Sequence, residues 1–191
     1  MLQKLKLKIF KYLTSPRMLP YYVNNQIVYN TRVSSSVEFI KNNKIKIEEH
    51  VFIWHNVILD GSAGLTISEG CQIGANVSIF THSSHIAIRL FGKHYSNECF
   101  GRKEDGYMLK DVFIGNYTFI GTGSVVLPGV HIGTGCIVSA NSLVNQNIPD
   151  YAIVQGNPAK IIGDTRKLDK RYLKKNIKFQ KYYNEWNSID D

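Results

Sequence analysis

Between residues 47 and 144 an aliphatic side chain returns at every sixth position. Ile47, Ile53 and Leu59 open the series, and after a slip of two residues Ile67, Ile73 and Ile79 resume it. Met108, Ile114, Ile120, Val126, Ile132, Val138 and Val144 then continue without a slip. Four residues after most of these stands a small or β-branched residue, among them Val57, Cys71, Val77, Ser124, Cys136 and Ser142. A helix repeats at about 3.6 residues and a strand at about 2, so neither alone has this period. One short strand plus one turn does. Three such units close a triangular coil, and coils stack at the strand spacing of about 4.8 Å. The recurring aliphatic then points inward onto its equivalent in the next coil, while Gly and Asn at the corners take backbone angles that other residues resist. A string of ordinary hairpins would instead signal turns about every 8–12 residues. The pattern therefore predicts an all-β solenoid, a parallel β-helix over residues 45–163. A helical or irregular segment, 1–44, precedes it and an amphipathic helix, 164–191, follows.

The series breaks once. Between Ile79 and Met108 the chain is far longer than one repeat, so residues 83–107 leave the coil directly after His82. Long insertions in compact domains concentrate binding and catalytic groups. This one, "SSHIAIRLFGKHYSNECFGRKEDGY", mixes aromatic, cationic and hydrogen-bonding side chains suited to a hydroxylated ligand. If Met108 resumes the count where Ile79 left it, Leu59, Ile79, Ile120 and Val138 share one face. The corner beyond that face then carries Asp60, His82, Gly121–Thr122 and Ser139–Ala140 in succession. Such an edge, an imidazole above a ladder of small residues, suits a long thin ligand lying against exposed backbone. Small corner residues also have a plainer use, which is to permit tight turns.

His82 is the candidate general base, because an imidazole titrates near neutrality. His85 is its competitor, or a ligand contact. Asp60, one coil before His82, orients the imidazole, grips a ligand hydroxyl or ends a turn. Arg89 and Tyr107, at the insertion, are further binding candidates.

The 191 residues suffice for one domain with appendages. The net charge of +8 suggests an anionic partner, but it gathers at the ends. Residues 1–17 carry only basic charge and 160–181 mostly basic charge, and no RNA- or DNA-binding motif accompanies either. Cys71, Cys99 and Cys136 stand far apart without a CxxC, which points to reduced thiols and the cytoplasm. No apolar run is long enough to span a bilayer, and lysines interrupt the first apolar stretch as they would not in a signal peptide. Leu168, Tyr172, Phe179, Tyr182 and Trp186 form a helical stripe, suited to covering the end of a solenoid or to an intersubunit contact. Leu2, Leu5, Ile9 and Leu13 suit an N-terminal helix. Packing on its own domain is preferred over contact with an anionic membrane surface.

The hexads, the "TH" before the interrupting loop, "VVLPGVHIG" and the closing "NIPDYAIVQGNPAKIIG" together resemble the hexapeptide-repeat acyltransferases, over roughly residues 45–165. The resemblance implies a left-handed parallel β-helix, an exception to the usual crossover hand. It also implies acetyl-CoA as co-substrate, no metal, and direct transfer without an acyl-enzyme. The branch it resembles most is the sugar O-acetyltransferases, including those that modify surface polysaccharides, working as homotrimers with active sites between subunits. On that basis His82 is the base, and Thr122, Ala140 and Lys160 contact the coenzyme, with Gly121 and Ser139 beside them.

Two departures bear on detail. Phe119 stands where relatives often have Trp, at a stacking position against acceptor or pantetheine, and Asn145–Gln146 replaces a common Thr–Lys. The runner-up acceptors are a nucleotide-linked amino sugar and an antibiotic hydroxyl. A different class, a zinc enzyme resembling the gamma carbonic anhydrases, would have to gather three imidazoles such as His82, His85 and His94.

Overall fold

The computed structural model describes residues 2–98 and 106–187. Cys99 and the 99–105 part of the insertion lie outside the described residues. From Glu38 to Gln155 the chain winds through three parallel sheets in strict rotation. The first sheet stacks Ile53, Ile73, Ile120, Val138 and Val154 in register. The second stacks Phe39, Leu59, Ile79, Val126 and Val144. The third stacks Ile47, Ile67, Ile114, Ile132 and Ile148. From Ile53 to Val154 most of these side chains are completely buried, and together they form the single core of a three-sided prism. Val51, Val57, Cys71, Val77 and Cys136, the residues four places on, fill the corners of that core.

The register corrects one expectation. Met108 does not resume the coil. Residues 82–83 leave it and pair antiparallel with 108–109, His82 opposite Leu109 and Ser83 opposite Met108. The insertion therefore departs and returns at one corner, and the chain re-enters on the third sheet at Val112–Ile114, directly over Leu65–Ile67. Every later repeat moves on by one face. Ile120 and Val138 lie over Ile73, and it is Val126 and Val144 that lie over Ile79.

The prism also reaches back before residue 45. A helix, α1 (Leu2–Thr14), precedes an antiparallel hairpin of β1 (Met18–Val23) and β2 (Gln26–Ser34). The far end of β2 pairs in parallel with Phe52–Ile53, and Glu38–Ile40 pairs with Ile58–Asp60. At the other end Lys160–Asp164 folds antiparallel onto Ala152–Gln155. Both edges of the first sheet are thus closed by antiparallel partners, which leaves fewer unpaired backbone groups at the ends of the stack. Among the described residues of the insertion are two short α-helices, α2 (Ala87–Phe91) and α3 (Tyr95–Glu98), joined by a 3-10 turn at Gly92–His94.

The C-terminal segment, expected as one helix, is two: α4 (Thr165–Leu173), capped by the Asp164 carboxylate, and α5 (Ile177–Asn187). Helix α5 sets Trp186 against Tyr117 at 4.8 Å between ring centroids, and the Tyr151 hydroxyl bonds to Asn187 Oδ1 at 2.6 Å. These rings lie along the corner between the third and first sheets. There Gly70, Tyr117, Gly135 and Tyr151 all adopt positive φ, and a Cβ at Gly135 would stand 2.9 Å from the Tyr151 ring. Only glycine fits under the tyrosine.

Because each inward aliphatic is covered above and below by its equivalents, removing one from mid-stack leaves a hole that the rigid ladders cannot close. Ile73→Ala should cost about 2–5 kcal/mol, read as a lowered urea midpoint at unchanged slope.

Candidate active site

The two-residue slip after Leu59 lies at the corner between the second and third sheets, where Asp60 turns inward and is fully buried. Thr81, on the same corner one coil later, donates its backbone N–H to Asp60 Oδ2 at 2.8 Å and its hydroxyl to the same oxygen at 3.0 Å. The Ser62 N–H donates to Oδ1 at 2.9 Å. The last partner is His82, whose Nδ1 stands 2.6 Å from Oδ2. Burial raises the Asp60 carboxyl, but the hydrogen bonds from Ser62, His82 and Thr81 outweigh it and hold it at about 2. An ionised carboxylate only accepts hydrogen bonds, so the network assigns the proton to Nδ1 and leaves the Nε2 lone pair free. With Nδ1 committed to Asp60, Nε2 is the nitrogen available to a cleft of about 560 Å³ that His82 lines. Tyr107 stacks on the imidazole at 5.9 Å between centroids with planes 15° apart, and helps fix its orientation.

His85 lines the same cleft, its Nδ1 held 2.7 Å from the Ser83 hydroxyl. Arg89, on α2, donates to the backbone oxygen of His85 and so braces the loop. The cleft continues over Met108 and Lys110 to Leu127–Pro128 and Asn145. Lys110, Leu127 and Pro128 escaped the sequence reading because of the face shift. Counting repeats sets Leu127 and Asn145 on one corner, but no count crosses the insertion, so only the pairing of Val112–Ile114 on Leu65–Ile67 brings that corner over His82.

The same shift removes the other candidates from this edge. Gly121–Thr122 and Ser139–Ala140 occupy the corner between the first and second sheets, together with Asn56 and Asn76. A Cβ at Gly121 would lie 2.5 Å from the Ala140 nitrogen, so the small residues let successive coils touch backbone to backbone here. Phe119 is exposed on the outer face of the first sheet, and Lys160 is exposed at the start of the closing strand. Within one chain, His82 therefore does not head the small-residue edge. Among the described residues no three His, Cys, Asp or Glu side chains converge as a metal site, so His82, His85 and His94 do not assemble one.

The bacterial transferase hexapeptide family matches residues 111–146, and the hexapeptide repeat of succinyl-transferases matches 44–81. The chain resembles the hexapeptide-repeat transferases over both of these stretches. Among relatives, the galactoside O-acetyltransferase of Escherichia coli (strain K12) is 28% identical over 79% of this chain and 69% of its own length. The dTDP-4-amino-4,6-dideoxy-D-glucose acyltransferase of Escherichia coli is 30% identical over 62% of this chain and 58% of its own. A hexapeptide-repeat acetyltransferase of Vibrio cholerae O1 biovar eltor, solved with acetyl coenzyme A, is 29% identical over 72% of each chain, with a TM-score of 0.55. The chain spans about half the length of several of the curated relatives it matches. In this hexapeptide-repeat protein the coil supplies the scaffold, and the interrupting loop completes the cleft around the imidazole.

Because the folded Asp60 carboxyl lies below its ordinary 3.8, it stabilises the fold above that pH, and the contribution fades as pH falls through about 2. Asp60→Asn should be less stable near neutrality. The gap to the parent, measured by urea unfolding across the acid range, should close only below pH 3.8.

Proposed function

We propose that this protein transfers the acetyl group of acetyl-CoA directly to a hydroxyl of a sugar acceptor. The observation that carries the reading is the Asp60–His82 pair, with a free Nε2 at the cleft. Nε2 takes the proton of the acceptor hydroxyl as its oxygen bonds to the thioester carbon. The tetrahedral intermediate collapses, the carbon–sulfur bond breaks, and the imidazolium returns its proton to the departing thiolate. Asp60 holds the ring in the required tautomer and offsets the charge that forms on it, as a carboxylate behind a catalytic histidine does in general. The named activities of the relatives support acyl transfer to a sugar, and the acetyl coenzyme A in the Vibrio structure supports the donor.

The division of candidates between two edges supports a site built between copies, within a homotrimer of left-handed coils. One copy presents His82. Its neighbour presents the edge of Thr122 and Ala140, along which the pantetheine arm lies, with Phe119 and Lys160 nearby. Asp60 and His82 then act on an acceptor held by His85 and Tyr107, in the cytoplasm, where acetyl-CoA and the precursors of surface polysaccharide are at hand. An amino-sugar acceptor is the second reading, favoured by the similarity to the dTDP-amino-sugar acyltransferase. A thiol-release screen of neutral sugars against nucleotide-linked amino sugars separates the two.

Acetyl-CoA should raise the melting temperature, and His82→Ala should keep that shift while losing about 10²–10⁴-fold in turnover. Near-normal turnover in the variant would remove His82 as the base. A second test addresses the shared site. His82→Ala and Ala140→Trp, each inactive alone, should regain partial activity when unfolded and refolded together, whereas no recovery would place the whole site within one chain.

A further inference from the structure

The N-terminal end of the prism carries a surface that the acetyl-transfer reading does not use. Helix α1 was expected to pack on its own domain, yet Leu5, Phe10 and Tyr12 are all more than half exposed, at 54%, 62% and 66%. Helical spacing places positions 2, 5, 9, 12 and 13 on one face with Lys6 at its edge, sets Lys4 and Lys11 on the opposite side, and leaves Phe10 between the two. The adjoining hairpin, β1–β2, is the outermost pair of the first sheet and exposes Leu19, Tyr22, Ile27 and Tyr29. Arg17, between helix and hairpin, sits over the Tyr12 ring at 4.2 Å. No acidic residue precedes Glu38, so α1 itself is apolar, aromatic and cationic, while the far side of the hairpin abuts a groove that Val28 lines with Glu48, Glu49 and Glu69.

We infer that this end of the molecule docks on an anionic phospholipid surface, with α1 lying in the plane of the interface. The charge decides the occupant. A second copy would set lysines against lysines, whereas an anionic bilayer takes the apolar face among its acyl chains and the lysines at its headgroups. Tyrosines such as Tyr22 and Tyr29 suit the headgroup layer, having an apolar ring and a polar tip. The 13 residues of α1 reach about 20 Å, short of the roughly 30 Å hydrocarbon thickness, so the helix lies on the bilayer and does not cross it.

The test is co-sedimentation of the full chain with vesicles of phosphatidylcholine, alone or containing phosphatidylglycerol. Binding should be at least about tenfold stronger with phosphatidylglycerol and should fall as salt is added. Replacing Lys4, Lys6, Lys8 and Lys11 by Gln together, or Leu5 and Phe10 by Ser, should each abolish it while the thermal midpoint of the prism stays put. A chain left in the supernatant at low salt, or bound equally to both vesicles, overturns the inference. So does a lysine-free variant that changes oligomeric mass while still binding vesicles, which would give the surface to a second copy. Sedimentation does not depend on turnover, so this inference and the acetyl-transfer reading fail separately.

Discussion

Everything in this fold depends on like stacking on like. In each sheet an aliphatic residue sits on the equivalent residue of the coil below, at the spacing set by the hydrogen bonds between parallel strands. The Val33–Ile53–Ile73–Ile120–Val138–Val154 column is the longest expression of it. Columns of this kind leave no room for lateral adjustment. Corners must therefore be tight, which is why Gly121 and Ala140 touch backbone to backbone and Gly135 lies beneath Tyr151. They also fix every surface position to within a strand spacing.

Against that regularity the Asp60 corner is the exception. A carboxylate buried without compensation would be strongly disfavoured. Here four hydrogen bonds from Ser62, Thr81 and His82 satisfy it, and the two-residue slip in the repeat provides the corner where it turns inward. The insertion leaves the coil at the same corner, so the charge, the imidazole it steers and the loop that lines the cleft all share one edge. Tyr107 returns from the insertion to stack on the ring, and Arg89 holds the His85 carbonyl. Local departures from the repeat are concentrated at the cleft that His82 lines.

The ends of the prism follow a different logic. A stack of coils has two open faces, and the antiparallel hairpin at one end and the Lys160–Asp164 strand at the other close the first sheet. Helix α5 then runs along an edge, anchored by Trp186 among Tyr117, Tyr151 and Tyr183. The charge surplus resides in these end elements. They are free to acquire it because they contribute little to the aliphatic columns.

The period of six was legible from the residues alone because each inward position must be aliphatic whichever coil it belongs to. The same holds for His82 and Asp60, which flag themselves as ionisable groups beside a slip and a break in that period. What the sequence could not decide was phase. Spacing counts residues, but an insertion that leaves and returns at one corner consumes residues without turning the coil. Met108 keeps the count of six while pairing with Ser83 outside the stack. Only the tertiary pairing of Val112–Ile114 on Leu65–Ile67 settled which face came next, and with it the separation of His82 from Thr122 and Ala140. The contact of Nδ1 with Oδ2, the stacking of Tyr107 and the exposure of α1 likewise belong to three dimensions. Each joins or parts residues whose distance along the chain carries no record of their distance in space.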